Sequence, residues 1–311
     1  MPHTQTPAPA LTRRELGRLL TRIENRQAAA ELAALYPLTG RAHVIGVTGA
    51  PGSGKSSLVN ALTLHYRRQQ RTVSILAVDP SSPFTGGAIL GDRIRMRDLT
   101  GDPGVFIRST ATRGTLGGLA ATTADAIRAL DAAGFDLVIV ETVGAGQSEV
   151  DIARFAHTTV VVEAPGMGDD VQAIKAGILE IADILVVNKA DHPGVDNTVR
   201  ALQAMLELGH AQGWLPPIVR TVATQSAGDP VGIAETAEQI DRHLAYLNQS
   251  GQLAIRERAQ LQSELFTRLR DALLAELMNG LELGTLNDIL DQLVMRQMDP
   301  DTAVRNLTGR P

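Results

Sequence analysis

Between His43 and Ala223 the apolar residues come in short unbroken runs: HVIGVTG, TVSILAVD, VFIRST, FDLVIVET, TTVVVEA, ADILVVNKAD and PIVRTVA. Longer stretches with helical spacing separate them. Continuous runs, rather than alternating ones, mark parallel strands whose two faces are both buried by crossover helices. The expectation is an α/β core built on a mostly parallel sheet. Several runs end on polar residues, Asp79, Glu141, Glu163 and Asn188. Ligands of open parallel sheets sit beyond the carboxyl ends of the strands, so these ends mark where chemistry is expected.

Both flanks read as helix. Leu16, Leu19, Leu20 and Ile23, then Ala28, Leu32 and Leu35, keep helical spacing until the PLTGR break at 37–41. Beyond Pro230 the strand-like runs stop. Residues 232–280 read as a long amphipathic helix, with Ile233, Ala237, Ile240, Leu244 and Leu247 in one stripe and Leu261, Leu265, Leu269, Leu273 and Leu277 in another. LELGTLNDILDQLVMRQMDPDTAVRNL adds short helices. A leucine stripe leaves two readings open, a helical cap on the sheet or a dimerisation arm. The domain plan is a helical extension over 1–40, a core over 41–230 and a helical region over 231–311. The Pro/Thr/Ala-rich residues 1–10 are expected to lack structure, and there is no internal repeat.

Composition narrows the classes. A chain of 311 residues that is 44% apolar can bury a large core. Its net charge of −5 is spread over interspersed acids and bases. Without a Lys/Arg block, duplex nucleic acid and anionic membrane are poor partners. The absence of cysteine removes disulfides, thiolate metal sites and cysteine nucleophiles, and suits a reducing compartment. MPHTQTPAPALTRREL lacks a signal peptide's apolar centre, and no apolar run approaches the ~20 residues that span a bilayer. A cytoplasmic protein is expected. The histidines at 3, 43, 65, 157, 192, 210 and 243 show no ligand spacing, so structural or surface roles are expected for them.

The chemistry concentrates in four stretches. GAPGSGKS, Gly49 to Ser56, matches G-x-x-x-x-G-K-[ST] between a strand and a helix. In Gly49, Ala50, Pro51, Gly52, Ser53 and Gly54 the glycines let backbone N–H groups curl around phosphates. The helix N-terminus, with Ser57 in its first turn, adds partial positive charge. Lys55 is placed to reach the β- and γ-phosphates and Ser56 to ligate Mg²⁺. NKAD follows a later strand, where the Asp191 carboxylate can accept from guanine N1–H and N2–H₂, a donor pair that adenine lacks. Asn188 would brace this loop and reach N7, and the Lys189 stem would cover the base. In TVATQSAG, backbone N–H groups of Ala223, Thr224 and Gln225 could meet the guanine O6. GTP/GDP with Mg²⁺ is the expected ligand.

VIVETVGAGQSE sets Glu141 at a strand end with Gly144 three residues on, E-x-x-G where many GTPases carry D-x-x-G. Glu141 could hold a Mg²⁺-bound water or orient the attacking water, and the Gly144 N–H would sense the γ-phosphate. Small signalling GTPases place a water-orienting Gln after that glycine. Here Ala145 stands there, and Gln147 comes two positions too late, so slow intrinsic hydrolysis accelerated by a partner is expected. VDPSSPFTGGAILGDRIRM runs from a strand end into a Ser/Pro/Gly loop. Asp79 and Asp92 are candidates for the Mg²⁺ shell; Arg93 and Arg95 could neutralise phosphate charge or be solvated surface residues.

Together with RGTLGG at 113–118 and PGMGDDVQAIKAG, these stretches, in this order, resemble the MeaB/ArgK-type P-loop GTPases that accompany adenosylcobalamin-dependent methylmalonyl-CoA mutase. The resemblance covers most of the chain. It implies a P-loop GTPase core and a homodimer that binds the mutase, gates cofactor delivery from an adenosyltransferase and protects the enzyme. Lys55 and Ser56 match the nucleotide positions; Asp79, Asp92 and Glu141 match the Mg²⁺ and catalytic carboxylates. The family's switch loops would be Asp79–Met96 and Glu141–Asp151, with a third at Pro165–Gly177 that contains Asp169, Asp170 and Lys175. In VVEAPGMGDDVQAIKAG, Val161 to Gly177, Asp169-Asp170 also suit a helix N-terminus electrostatically, so a connecting turn stands beside a conformational relay that presents Lys175 to the client. Phe84 and Thr85 in the first switch and Met167 and Asp170 in the third depart from the family, so the client could act on a different acyl-CoA. Two other readings stand against this one: a kinase of an amino-acid transport binding protein, for which no dedicated Asp/His acceptor constellation is found, and a metallochaperone-type GTPase, for which the Cys or His clusters are missing.

Overall fold

The computed structural model describes residues 11–80, 99, 101–112, 118–142, 148–166, 180–208, 213–224, 230–281 and 284–308. Seven strands form one sheet in the order β3-β2-β4-β1-β5-β6-β7. They are β1 (His43–Gly49), β2 (Val73–Pro80), β3 (Val105–Thr112), β4 (Leu137–Thr142), β5 (Thr158–Glu163), β6 (Ile184–Val187) and β7 (Ile218–Arg220). Every neighbouring pair is parallel. The unbroken apolar runs find their reason here, because β1, β4, β5 and β6 are buried along their whole length.

Alternate residues feed opposite faces, as the pleat requires. Ile45, Val47, Ile75, Ile139, Val160 and Ile184 pack with α3 (Lys55–Arg68) and α7 (Ile233–Gln249). Val44, Leu76, Val78, Val138 and Val140 pack with α1 (Arg13–Glu24) and α4 (Gly118–Ala132). Val161, Leu185 and Val187 meet Val199 and Leu202 of α6 (Val195–Leu208), while α5 (Ser148–Asp151) leads into a 3₁₀ turn before β5.

The N-terminal stripe behaves as its spacing predicts. Leu16, Leu19, Leu20 and Ile23 are all buried on α1, whose start is a capping box: Glu15 N donates to the Thr12 hydroxyl, and Thr12 N donates to the Glu15 carboxylate. α2 (Ala29–Leu35) follows, with Leu32 and Leu35 half-buried against the same core, and a 3₁₀ turn at Tyr36–Leu38 ends the extension.

The long helix expected over 232–280 is two helices. α7 ends at Gln249, Gly251 takes φ +71, and α8 (Gln252–Gly280) begins beyond it. On α7, Ile233, Ala237, Ile240 and Leu247 are buried, and its Ala237 carbonyl accepts from the Tyr66 hydroxyl of α3. The chain divides into two compact units, Met1–Gln260 and Leu261–Pro311. The second holds the rest of α8, α9 (Thr285–Val294) and α10 (Pro300–Thr308). On α8 no residue is buried: Leu261, Leu265, Leu269 and Leu273 are 45%, 63%, 50% and 56% exposed.

Candidate functional site

The carboxyl ends of β1, β4, β6 and β7 bring the described motifs together. β1 ends on Gly49 with φ +136, and Gly54 with φ +90 opens α3. A Cβ on Gly49 would run into the Val162 carbonyl of β5, and one on Gly54 into the Asn188 amide. Both positions therefore need glycine for conformation and for space. No side chain caps α3, which leaves its N-terminus for an anion. Lys55 is buried and donates from Nζ to the carbonyls of Gly49 (2.8 Å) and Ala50 (2.9 Å), so its ammonium lies back over its own loop. The Ser53 hydroxyl is buried without a hydrogen-bond partner among the described residues.

Ser56, the next residue of α3, donates from Oγ to Glu141 Oε1 at 2.6 Å. Glu141 stands on β4, opposite Val47 of β1 in the ladder, and is 1% exposed. Just past this pair the Thr142 hydroxyl meets that of Thr48 at 3.0 Å. β2 pairs with β4 on its other side, Ala77 opposite Glu141 and Val78 opposite Thr142, so Asp79, one residue before the end of β2, comes to the same edge. A hydroxyl and a carboxylate, both hard oxygen donors, thus converge beside the loop lysine.

Asn188 joins three segments with one side chain. Its Nδ2 donates to the Ser53 carbonyl of the phosphate loop at 2.9 Å. Its Oδ1 accepts from the Thr221 hydroxyl (3.0 Å) and from the Ala223 N–H (3.1 Å). Lys189 adopts φ +58, and Ala190 N donates to the Thr221 carbonyl, which fixes the turn after β6. Asp191 and Thr224 are exposed there. Asn188 therefore ties the turn after β6 to the loop after β1 and to the segment after β7. Thr221, which holds the amide from β7's side, was not singled out in the sequence; a buried threonine just after a strand carries no signal of its own. Asp92, Arg93, Arg95, Gly144, Gln147, Asp169, Asp170, Lys175 and Gln225 lie outside the described residues.

A second polar cluster occupies the opposite end of the sheet. His43 opens β1, Thr158 opens β5, Asp183 immediately precedes β6, His243 lies on α7 and Arg256 on α8. His43 Nε2 meets Thr158 Oγ1 at 2.8 Å, and Thr158 Oγ1 meets His243 Nδ1 at 2.9 Å. His243 Nε2 faces Asp183 Oδ1 at 3.3 Å, and Arg256 forks onto both Asp183 oxygens at 2.8 and 2.9 Å. Burial holds His43 well below the usual imidazole range and takes His157 and His243 down to about 4. With His243 neutral, one arrangement satisfies every contact in the cluster. Nε2–H of His243 points at the carboxylate, Thr158 donates to Nδ1, and His43 Nε2–H donates to Thr158. These histidines are held in contacts within the fold, and their convergence is invisible along the chain because the residues are far apart in sequence. Among the described residues no group of three or more acids and histidines could hold a metal ion. Among them, too, no helix is long and apolar enough to cross a membrane.

The chain matches the family described as methylmalonyl-CoA mutase-associated GTPase MeaB over residues 16–282. A protein of Pyrococcus horikoshii, named provisionally as a GTPase, is 46% identical over 308 residues, covering 96% of this chain and 95% of its own length. The GTPase ArgK of Escherichia coli is 37% identical over 252 residues, covering 78% of this chain and 75% of the relative. The mouse mitochondrial methylmalonic aciduria type A homolog is 36% identical over 230 residues, covering 72% of this chain and 54% of the relative. Among solved structures, an LAO/AO transport system kinase superposes with a TM-score of 0.72 at 26% identity, covering 96% of this chain and 92% of that one. Sheet order, phosphate loop and relatives agree, and the chain belongs to the MeaB family of methylmalonyl-CoA mutase-associated GTPases.

Proposed function

We propose that this chain binds GTP and GDP where β1, β4, β6 and β7 end, hydrolyses GTP, and couples that cycle to an adenosylcobalamin-dependent acyl-CoA mutase. The observation that carries the nucleotide reading is Asn188. One buried amide holds the phosphate loop, the NKAD turn and the 221–223 segment in a single frame. Such a frame sets the distance between a phosphate cradle and a base-reading carboxylate. In this reading Gly49 to Ser57 bind the phosphates, Asp191 reads the guanine edge, and Lys189 covers its face. Lys55 leaves the Gly49 and Ala50 carbonyls to meet the β- and γ-phosphates, whose charge outbids two neutral acceptors.

The Ser56 hydroxyl and the Glu141 carboxylate fit a hard divalent cation. They would hold Mg²⁺ together with Asp79 and Asp92, and the ion would supply charge neutralisation at the phosphates. Glu141, buried against Ser56, is also the described carboxylate best placed to orient water. Gly144 and Gln147, with Arg93 and Arg95, belong to the loops that would respond to the γ-phosphate. Asp169, Asp170 and Lys175 would relay that state to the client.

The family name supports a mutase partner, and the adenosyltransferase belongs to the same proposal. So do the division at 1–40, 41–230 and 231–311, a cytoplasmic site of action, and a homodimer formed through the exposed leucines of α8. Purified chain should bind guanine nucleotides at least about 100-fold more tightly than adenine nucleotides. Its GTP turnover should rise when an adenosylcobalamin-dependent acyl-CoA mutase is added. Equal affinity for ATP would sink the base reading, and unchanged turnover across candidate mutases would sink the partner reading. Lys175→Ala should keep GTP affinity and lose the stimulation. The kinase name of the structural relative supplies a rival, which labelled phosphate moving from GTP to an acceptor protein would favour.

A further inference from the structure

We propose that Asp183 and Arg256 form a positioning pair for the nucleotide site, acting through β6 on Asn188 from the opposite end of the sheet. The inference rests on the nucleotide-binding reading above. β6 runs only from Ile184 to Val187, with Asp183 before it and Asn188 after it. At its foot, Asp183 N donates to the Thr159 carbonyl, and Thr159 N donates back to Asp183 Oδ2 at 2.8 Å. The Asp183 carbonyl accepts from Trp214 Nε1 at 2.7 Å. At its head, Asn188 N donates to the Glu163 carbonyl at 2.8 Å, and the Asn188 amide holds the phosphate loop. The two pinned ends are ~16 Å apart along an extended strand.

Nothing along that length can absorb a displacement. Ile184, Leu185, Val186 and Val187 are each 0% exposed, and β5 and β7 bracket the strand on both edges. Close-packed interiors of this kind transmit a shift rather than dissipate it. What grips the foot comes from α8. Arg256 forks onto the Asp183 carboxylate and donates to the His157 carbonyl at 2.6 Å. One turn on, Gln260 donates to the carbonyls of Ala153 and Ala156. The Asp183 side chain is 10% exposed, so without the guanidinium fork a nearly buried carboxylate must move or recruit water. Trp214 meets the Asp183 carbonyl and His243 its carboxylate, and both rings lie against Tyr246, with centroids 4.9 to 6.4 Å apart, so the foot of the strand is held on this side as well. Nucleotide affinity and the seating of the first turns of α8 are therefore linked, and linkage is reciprocal.

The test measures release of a fluorescent GDP analogue from the full chain, wild type and variants. R256Q should speed release by about 5- to 20-fold, and R256K, which keeps the charge but not the fork, by a smaller factor. The control is R108Q. Arg108 pairs with Glu24 at 2.8 Å in a comparably buried site, joining β3 to α1 without touching β6. It should lower the melting temperature as R256Q does and leave release unchanged. In the double variant T221V/R256Q the two effects should depart from a simple product by about threefold or more, because both reach the nucleotide through the Asn188 amide. Wild-type release rates in R256Q and R256K, strictly multiplicative effects, or an equal acceleration in R108Q would each overturn the pairing. If R256Q does not fold, R256K and W214F decide on the same terms. No GDP binding by the wild type would remove the nucleotide reading itself, and this inference with it.

Discussion

In the proposed reading, single residues at the nucleotide end carry discrete and separable tasks. Asp191 stands exposed on a turn fixed from behind by Asn188 and Thr221, which suits a carboxylate that reads a base rather than one that holds the fold. An amide at this position presents a donor where guanine also presents donors. Asp191→Asn should therefore weaken GTP binding by about 100-fold or more and favour xanthosine triphosphate, whose 2-oxo group accepts. Competition binding with both nucleotides reads this directly, and unchanged guanine preference would remove Asp191 from the site. Much of this scale was legible along the chain. The phosphate loop and NKAD are local patterns, and their chemistry depends on residues adjacent in sequence. Thr221 was not legible, because its importance comes entirely from the Asn188 amide across a strand boundary.

At the scale of elements, helices and strands are joined by polar contacts that periodicity does not report. The break between α7 and α8 rests on Gly251 at φ +71, with open space around any added Cβ. Gly251→Ala should cost only the conformational penalty, ~1 kcal/mol, read as a lowered urea midpoint with unchanged slope. The buried imidazoles give the fold a defined acid sensitivity. His157 and His243 bind protons near pH 6.5 when unfolded and near pH 4 when folded. Between these values the unfolded chain binds more protons, so stability falls as pH drops from about 6.5 toward about 4 and rises with pH across the same window. The slope should approach ~1.4 kcal/mol per pH unit for each imidazole. Asp183, Arg256, His43 and Glu257 face these rings. His243→Gln should flatten the profile by one imidazole's share, measured by urea denaturation at stepped pH. A profile as steep as wild type would show that other groups dominate.

For the whole molecule, the exposed leucines of α8 have the most consequence. Four leucines spaced four residues apart, each 45% to 63% exposed, form an apolar row on a helix with no buried residue. If a second copy covers them, the wild-type chain sediments as a dimer, and L265E/L269E should be monomeric with nucleotide binding retained. A wild-type monomer would leave the row to another partner.

The parallel α/β core, the helical flanks, the glycine-rich phosphate-loop motif and the NKAD turn after β6 are all legible along the chain alone. Each is written in local periodicity or in a few adjacent residues. The sequence could not decide where the long C-terminal helical stretch breaks, since a glycine at φ +71 leaves no mark on the apolar spacing of either side. Nor could it show that Ser56 meets Glu141, that Asn188 grips Ser53, or that residues 43, 158, 183, 243 and 256 share one buried network. Those contacts exist only because the strands of one parallel sheet align their ends, and alignment is a property of the assembled sheet rather than of any run within it.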